Sequence, residues 1–78
     1  MPRLSPVSWK VLECIFQKAG YIFERQVGSH RTYFRDGIIR PIVIPAHSKD
    51  IAVGIIRSLM NTANMNRDEY FKYLSKCK

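Results

Sequence analysis

The sequence predicts an α+β domain in which helices cover one face of a three-stranded antiparallel sheet, in the order α-β-β-β-α with a short third helix at the C-terminus. Three observations predict it. Apolar residues recur at helical spacing near both ends, at Val11, Ile15 and Ala19 and again at Ile51, Ile55 and Leu59. Residues 21–44 between them read as strands. Gly28-Ser29 and Asp36-Gly37 divide that stretch with hairpin-turn chemistry.

The first helix is expected over residues 6–19, with Ser5 as N-cap and Pro6 at the first helical position, where its missing N–H costs nothing. Leu12 and Val7 extend its apolar stripe, Trp9 and Phe16 lie along one margin, and Lys10, Glu13 and Gln17 face water. Gly20 suits a left-handed C-terminal cap. Strands are expected over residues 21–27, 30–35 and 38–44, with Pro41 placing the last at a sheet edge. A two-residue loop at Asp36-Gly37 would set Tyr33 opposite Arg40 and Arg31 opposite Ile42. One face would then present Arg31, Tyr33, Arg35 and Arg40 to solvent, with Ile38 and Ile42 among them, a bed for RNA phosphates and a stacked base. The other would turn Thr32, Phe34, Ile39 and Val43 toward the helices, and His30 with them, unless a one-residue bulge reverses the assignment.

The second helix is expected over residues 52–62, with Asp50 as N-cap and Ile56, Met60 and Ala63 joining its apolar side. Gly54 there implies close packing or a first-turn position. Asn66 and Glu69 form a capping-box pair for the third helix, with Met65 and Tyr70 as its hydrophobic staple. Phe71 and Leu74 supply its apolar contacts.

The chain has 78 residues, 46% of them hydrophobic, which is enough for a single domain with a modest core; residues 1–5 are expected to be flexible. Its net charge of +7 favours a polyanionic partner, nucleic acid above an acidic protein or a membrane surface. Six basic residues against two acidic ones between Arg25 and Arg57 place much of that field at the centre of the chain, around both histidines. Cys14 and Cys77 lie at opposite ends without metal-type spacing and read as unpaired thiols of a reduced, cytoplasmic protein. Neither a signal-peptide core nor a membrane-length apolar run is present in the sequence.

Several chemistries are set aside by what the sequence contains. It has no glycine-rich phosphate loop, no nucleophile elbow and no pair of histidines or cysteines at metal spacing, and its carboxylates are too few for a two-metal nuclease. No metal or cofactor is expected. What remains is His30 and His47, the arginines, Lys49, Tyr33 and Ser29. Histidine takes and gives protons near neutrality, so it can remove the proton of a ribose 2′-OH that attacks its own phosphodiester. An imidazolium, lysine or tyrosine can protonate the leaving 5′-oxygen, while arginine or lysine stabilises the charge growing on phosphate. Local readings stand beside these: a solvated histidine after a turn for His30, a loop or capping histidine for His47, packing for Tyr33, and a turn residue for Ser29.

Several pieces of the chain, in order, resemble the HicA toxins of bacterial and archaeal toxin–antitoxin modules, small ribonucleases acting on messenger RNA. They are Lys18-Ala19-Gly20-Tyr21, Arg25-Gln26-Val27-Gly28-Ser29-His30, Ile44-Pro45-Ala46-His47-Ser48, Gly54-Ile55-Ile56-Arg57-Ser58-Leu59 and Asp68-Glu69-Tyr70-Phe71. The resemblance implies a fold like a double-stranded-RNA-binding domain, His30 as the catalytic residue, and neutralisation by an acidic HicB-type antitoxin, with oligomers formed only through that complex. The family helix often has Gly-Thr-Leu where this chain has Gly54-Ile55-Ile56, a change in packing more than chemistry, and Met1 to Ser5 has no obvious counterpart.

The leading expectation is therefore a metal-independent messenger-RNA endonuclease. Its catalytic residue is His30, and Arg25, Ser29, Arg31, Tyr33, Arg35, Arg40, His47 and Lys49 contact RNA. A non-catalytic module that binds RNA or DNA through the same basic surface is the alternative, followed by a domain whose affinity lies with an acidic protein.

Overall fold

The first helix begins later than its sequence suggests because the residues before it are drawn into an extended bridge. In the computed structural model, which describes residues 3–37 and 40–77, Val7 pairs with Ile51, whose N–H donates to the Val7 carbonyl at 2.7 Å. Ser8 therefore becomes the N-cap in place of Ser5, its hydroxyl accepting from Val11 N–H at 3.3 Å, and α1 runs Trp9–Lys18. Gly20 ends it as expected. At φ +100° it lets Tyr21 N–H reach the Phe16 carbonyl while its own N–H reaches that of Gln17, the paired bonds of a Schellman cap. The same bridge displaces the expected Asp50 cap of the second helix. Ile51 is fully buried and still extended, so α2 spans Val53–Thr62 with Ala52 at its N-cap position and no side-chain cap. Gly54 thus lies in the first turn. Asn64, at φ +53°, closes α2 with a second Schellman pair through Met65 and Met60. The capping box forms as read, Asn66 and Glu69 exchanging side-chain-to-backbone bonds of 2.8 and 3.1 Å at the start of α3, Arg67–Cys77.

The sheet is an antiparallel meander in the order β1-β2-β3, with β1 Ile22–Val27, β2 His30–Phe34 and β3 Ile42–Pro45. The resulting α-β-β-β-α order is that of a double-stranded-RNA-binding domain, with α3 added. Tyr33 pairs with Ile42 and Arg31 with Ile44, so the β2–β3 connection is longer than the expected two-residue loop. Ile38 and Ile39, placed by the sequence in β3, lie outside the described residues.

The face assignment is corrected. Tyr33, Ile42 and Ile44 are the side of the sheet that meets the helices, all at most 1% exposed, whereas Phe34 and Val43 face solvent. A polar arginine–tyrosine surface does not form; hydrophobic burial of Tyr33 with two isoleucines on one face decides the orientation. In β1 a bulge between Phe23 and Arg25 puts those two residues on opposite faces, with Phe23 beside Tyr33 and Arg25 opposite Thr32.

The core gathers Leu12, Ile15 and Phe16 of α1, Tyr21, the inner sheet residues, and Ile51, Ile56, Leu59 and Met60 around α2, with Tyr70 of α3. Ile55 stays about two-fifths exposed, at 41%, unlike its expected place on the apolar stripe. Leu4, inside the segment expected to be flexible, packs against this core. The structure also overturns the cysteine reading: Cys14 of α1 and Cys77 at the end of α3 form a disulfide, with Cα atoms 5.9 Å apart. Neither is a free thiol, and the inference of a reducing compartment loses its basis. No helix among the described residues is long and apolar enough to cross a membrane.

Candidate active site

The turn between β1 and β2 is built by two residues. Gly28 has φ +59° and Ser29 does not share the positive sign, the pattern of a II′ turn whose twist suits a tight hairpin. His30 follows as the first residue of β2, paired with Val27 on one side and Pro45 on the other. It is exposed, on the face it shares with Val27, Thr32, Phe34 and Val43. Strand alternation does group it with Thr32 and Phe34, but that group faces water. Thr32, in the central strand opposite Arg25 and Val43, is the one member of the group that is buried.

The end of β3 folds against this turn. Ala46 N–H donates to the Ser29 carbonyl, fastening the loop that carries His47 beside the start of β2. His47 Nδ1 lies 3.1 Å from the Lys49 carbonyl. A carbonyl only accepts, so Nδ1 bears a proton and Nε2 is the remaining polar atom of the ring. The structure thus brings together Ser29, His30 and the His47–Lys49 loop, all exposed. Arg25 lies on the same sheet face as His30, in an ion pair with Glu24, and Arg40 is exposed ahead of β3.

Three residues expected at an RNA surface are engaged in the fold instead. Tyr33 is fully buried, and its hydroxyl donates to Glu13 while accepting from Arg31 Nε at 2.9 Å, so it has no free ring face for a base. Burial, reinforced by the Glu13 carboxylate, pushes its pKa up to about 12. Arg31 donates to Glu13 at 2.9 Å and to Gln26 at 2.6 Å, and its guanidinium sits 4.2 Å from the Phe23 ring and 5.1 Å from Trp9. Its bond to the Tyr33 hydroxyl, with that to Glu13, raises its pKa further. Arg35 reaches under the sheet end to the Ala19 carbonyl at 2.7 Å and lies over the Tyr21 ring, away from the His30 turn.

Glu13 and Gln26 were not singled out from the sequence. The signal available was an arginine and a tyrosine at strand positions of one parity, both needing polar partners if that face is inward, and a carboxylate at mid-helix to supply them. Among the described residues no group of three or more His, Cys, Asp or Glu gathers as a metal site. A cleft lined by Leu4, Arg57, Met60, Met65 and Asp68 contains none of the candidate residues.

No match to this chain is found among curated proteins. Residues 9–65, nearly three quarters of the sequence, match the family described as "HicA toxin of bacterial toxin-antitoxin". That segment begins at the first residue of α1 and ends just past α2, enclosing the sheet, the His30 turn and the His47 loop. The chain therefore belongs to the HicA toxin family, the toxins of bacterial toxin–antitoxin modules.

Proposed function

We propose that this toxin is a metal-independent endoribonuclease that cleaves messenger RNA with His30 as its acid–base residue. The observation that carries the reading is the presentation of His30: exposed, at the head of the central strand, on a glycine turn fastened to the His47 loop. Neutral imidazole takes the proton from a ribose 2′-OH, and the freed oxygen attacks the adjacent phosphorus. The P–O5′ bond breaks, leaving a 2′,3′-cyclic phosphate and a 5′-oxygen that takes a proton from water, to which the imidazolium then releases its own. Lys49, Arg25 and Arg40 are exposed cations suited to the phosphate, and Ser29 and His47 flank the reacting bond. DNA lacks the 2′-OH and escapes this chemistry.

An acidic HicB-type antitoxin is the proposed partner. The outer sheet face beside His30 exposes Ile22, Val27, Phe34 and Val43, an apolar surface bordered by positive charge. A protein covering it would also cover His30.

Purified protein incubated with single-stranded RNA, with and without EDTA, tests the chemistry. Cleavage is expected to survive EDTA and to leave cyclic or 3′-phosphate ends. In His30→Ala, cleavage should fall by at least about 10²-fold while the fold is kept. 5′-Phosphate ends, or full activity in a folded His30→Ala protein, would refute the proposal. Salt-sensitive binding of RNA and DNA alike, without scission, would favour a binding module instead.

A further inference from the structure

The turn that carries His30 is tied to the first helix by a continuous chain of side chains. Glu13 of α1 accepts from Arg31 Nη2 at 2.9 Å, Arg31 Nη1 donates to Gln26 Oε1 at 2.6 Å, and Gln26 Nε2 donates to the Gly28 carbonyl at 2.8 Å. The direction of each bond is forced. A guanidinium has only donors, so the Gln26 amide must turn its oxygen toward Arg31, which aims its NH₂ at the turn. Arg31 cannot swing away, since it also donates to the Tyr33 hydroxyl and is held beside the Phe23 and Trp9 rings. The far end of the chain is therefore anchored in half-buried structure, and the near end grips the peptide unit between Gly28 and Ser29.

We infer that Gln26 is a positioning residue for the reaction, holding the Gly28 carbonyl so that the turn delivers His30 in one orientation. The inference rests on the reading of His30 as the acid–base residue. Gly28 needs such a hold because, lacking a Cβ, it has a wide conformational range, and no atom packs within 4 Å of where that Cβ would be to keep it at its positive φ. The two hydrogen-bonding ends of Gln26 have separable jobs, and substitution can separate them. Gln26→Glu keeps an acceptor for Arg31 and loses the donor to Gly28. Gln26→Met loses both without adding charge.

The test is single-turnover and steady-state cleavage of RNA by the intact protein, alongside ¹⁵N relaxation of the amides of residues 28–30. Both variants are expected to keep the wild-type unfolding midpoint and to bind RNA with KM changed about two-fold at most. Both should lose about ten-fold in kcat, the scale of a small misplacement of a catalytic group. The amides of Ser29 and His30 should become more mobile in both. A loss of kcat confined to Gln26→Glu would mark an effect of the new charge, and a loss confined to Gln26→Met would mark the Arg31 link; either overturns the inference, as does wild-type kcat in both. His30→Ala distinguishes the two levels. If that variant still cleaves, the catalytic reading has failed, and the relaxation data alone decide whether Gln26 holds the turn.

Discussion

Reducing the Cys14–Cys77 bond should remove a large share of this protein's stability. The bond joins residues separated by 63 positions, so it closes nearly the whole chain into one loop. Chain-entropy arguments put the cost that such a closure imposes on the unfolded ensemble at about 4 kcal/mol at 25 °C. Domains of this size are stable by only about 5–10 kcal/mol, so the loss is comparable with what remains. Packing does not replace it. α3 packs on α1, and of the α3 side chains that reach the core, Tyr70, Phe71, Tyr73 and Leu74, only Tyr70 is fully buried. Urea unfolding followed by Trp9 fluorescence, with and without dithiothreitol, measures the difference. With a slope of about 1 kcal/mol per M for a chain this small, the midpoint should fall by roughly 3–4 M. The Cys14→Ser/Cys77→Ser double variant should match the reduced wild type, because the argument concerns the unfolded chain and not the sulfur atoms. A shift below about 1 M on reduction, or a double variant as stable as the oxidised protein, would refute it.

The caps provide a second test: Ser8→Ala should cost about 1 kcal/mol in the same assay, while Ser5→Ala should cost nothing measurable. Alkaline stability provides a third. Tyr33 has a folded pKa of about 12 against an ordinary value of 10.0, so its contribution is whole below pH 10 and is lost as pH rises toward 12. About 2 kcal/mol should disappear across that window by urea titration at successive pH values. Burial raises Tyr21 and Tyr70 in the same direction, so Tyr33→Phe should lessen the alkaline loss without abolishing it.

Local chemistry was legible wherever a few adjacent residues decide the outcome. The Asn66–Glu69 capping box, the Gly20 cap and the Gly28-Ser29 turn all form where the residues put them, because each is settled within one turn of chain. Long-range pairings were not legible. Val7 and Ile51 are far apart in sequence, yet their bridge shifts the starts of both α1 and α2. Cys14 and Cys77 show no motif, and only the packing of α3 on α1 brings them within bonding distance. Period-2 alternation groups Arg31 with Tyr33 correctly but does not say which group faces the helices. That was decided by Ile42 and Ile44 arriving opposite them two residues out of the expected register. For the candidate site, the Gly28-Ser29 turn and the His47 loop could be read directly because turn and loop residues stay at the surface, whereas strand alternation turned His30 toward the helices and the structure exposes it. Glu13 and Gln26 could not, since their partners come from another element or depend on which face of the sheet is buried.

The bulge in β1 has a consequence at the rim of the sheet. β1 is an edge strand exposed along its whole length, and it carries Ile22, Phe23 and Val27, the composition that invites a second chain to add a strand. The interruption at Glu24 breaks the even spacing of its outward N–H and C=O groups, and the Glu24–Arg25 ion pair sets two charges beside the break. A strand docking from outside would lose its hydrogen-bond register halfway along and leave those charges poorly solvated. At the opposite rim Pro41 and Pro45, which have no N–H to offer, bracket β3. The sheet is thus guarded against sideways growth while its apolar outer face stays open, which directs association toward partners that lie across the strands and away from those that would extend them.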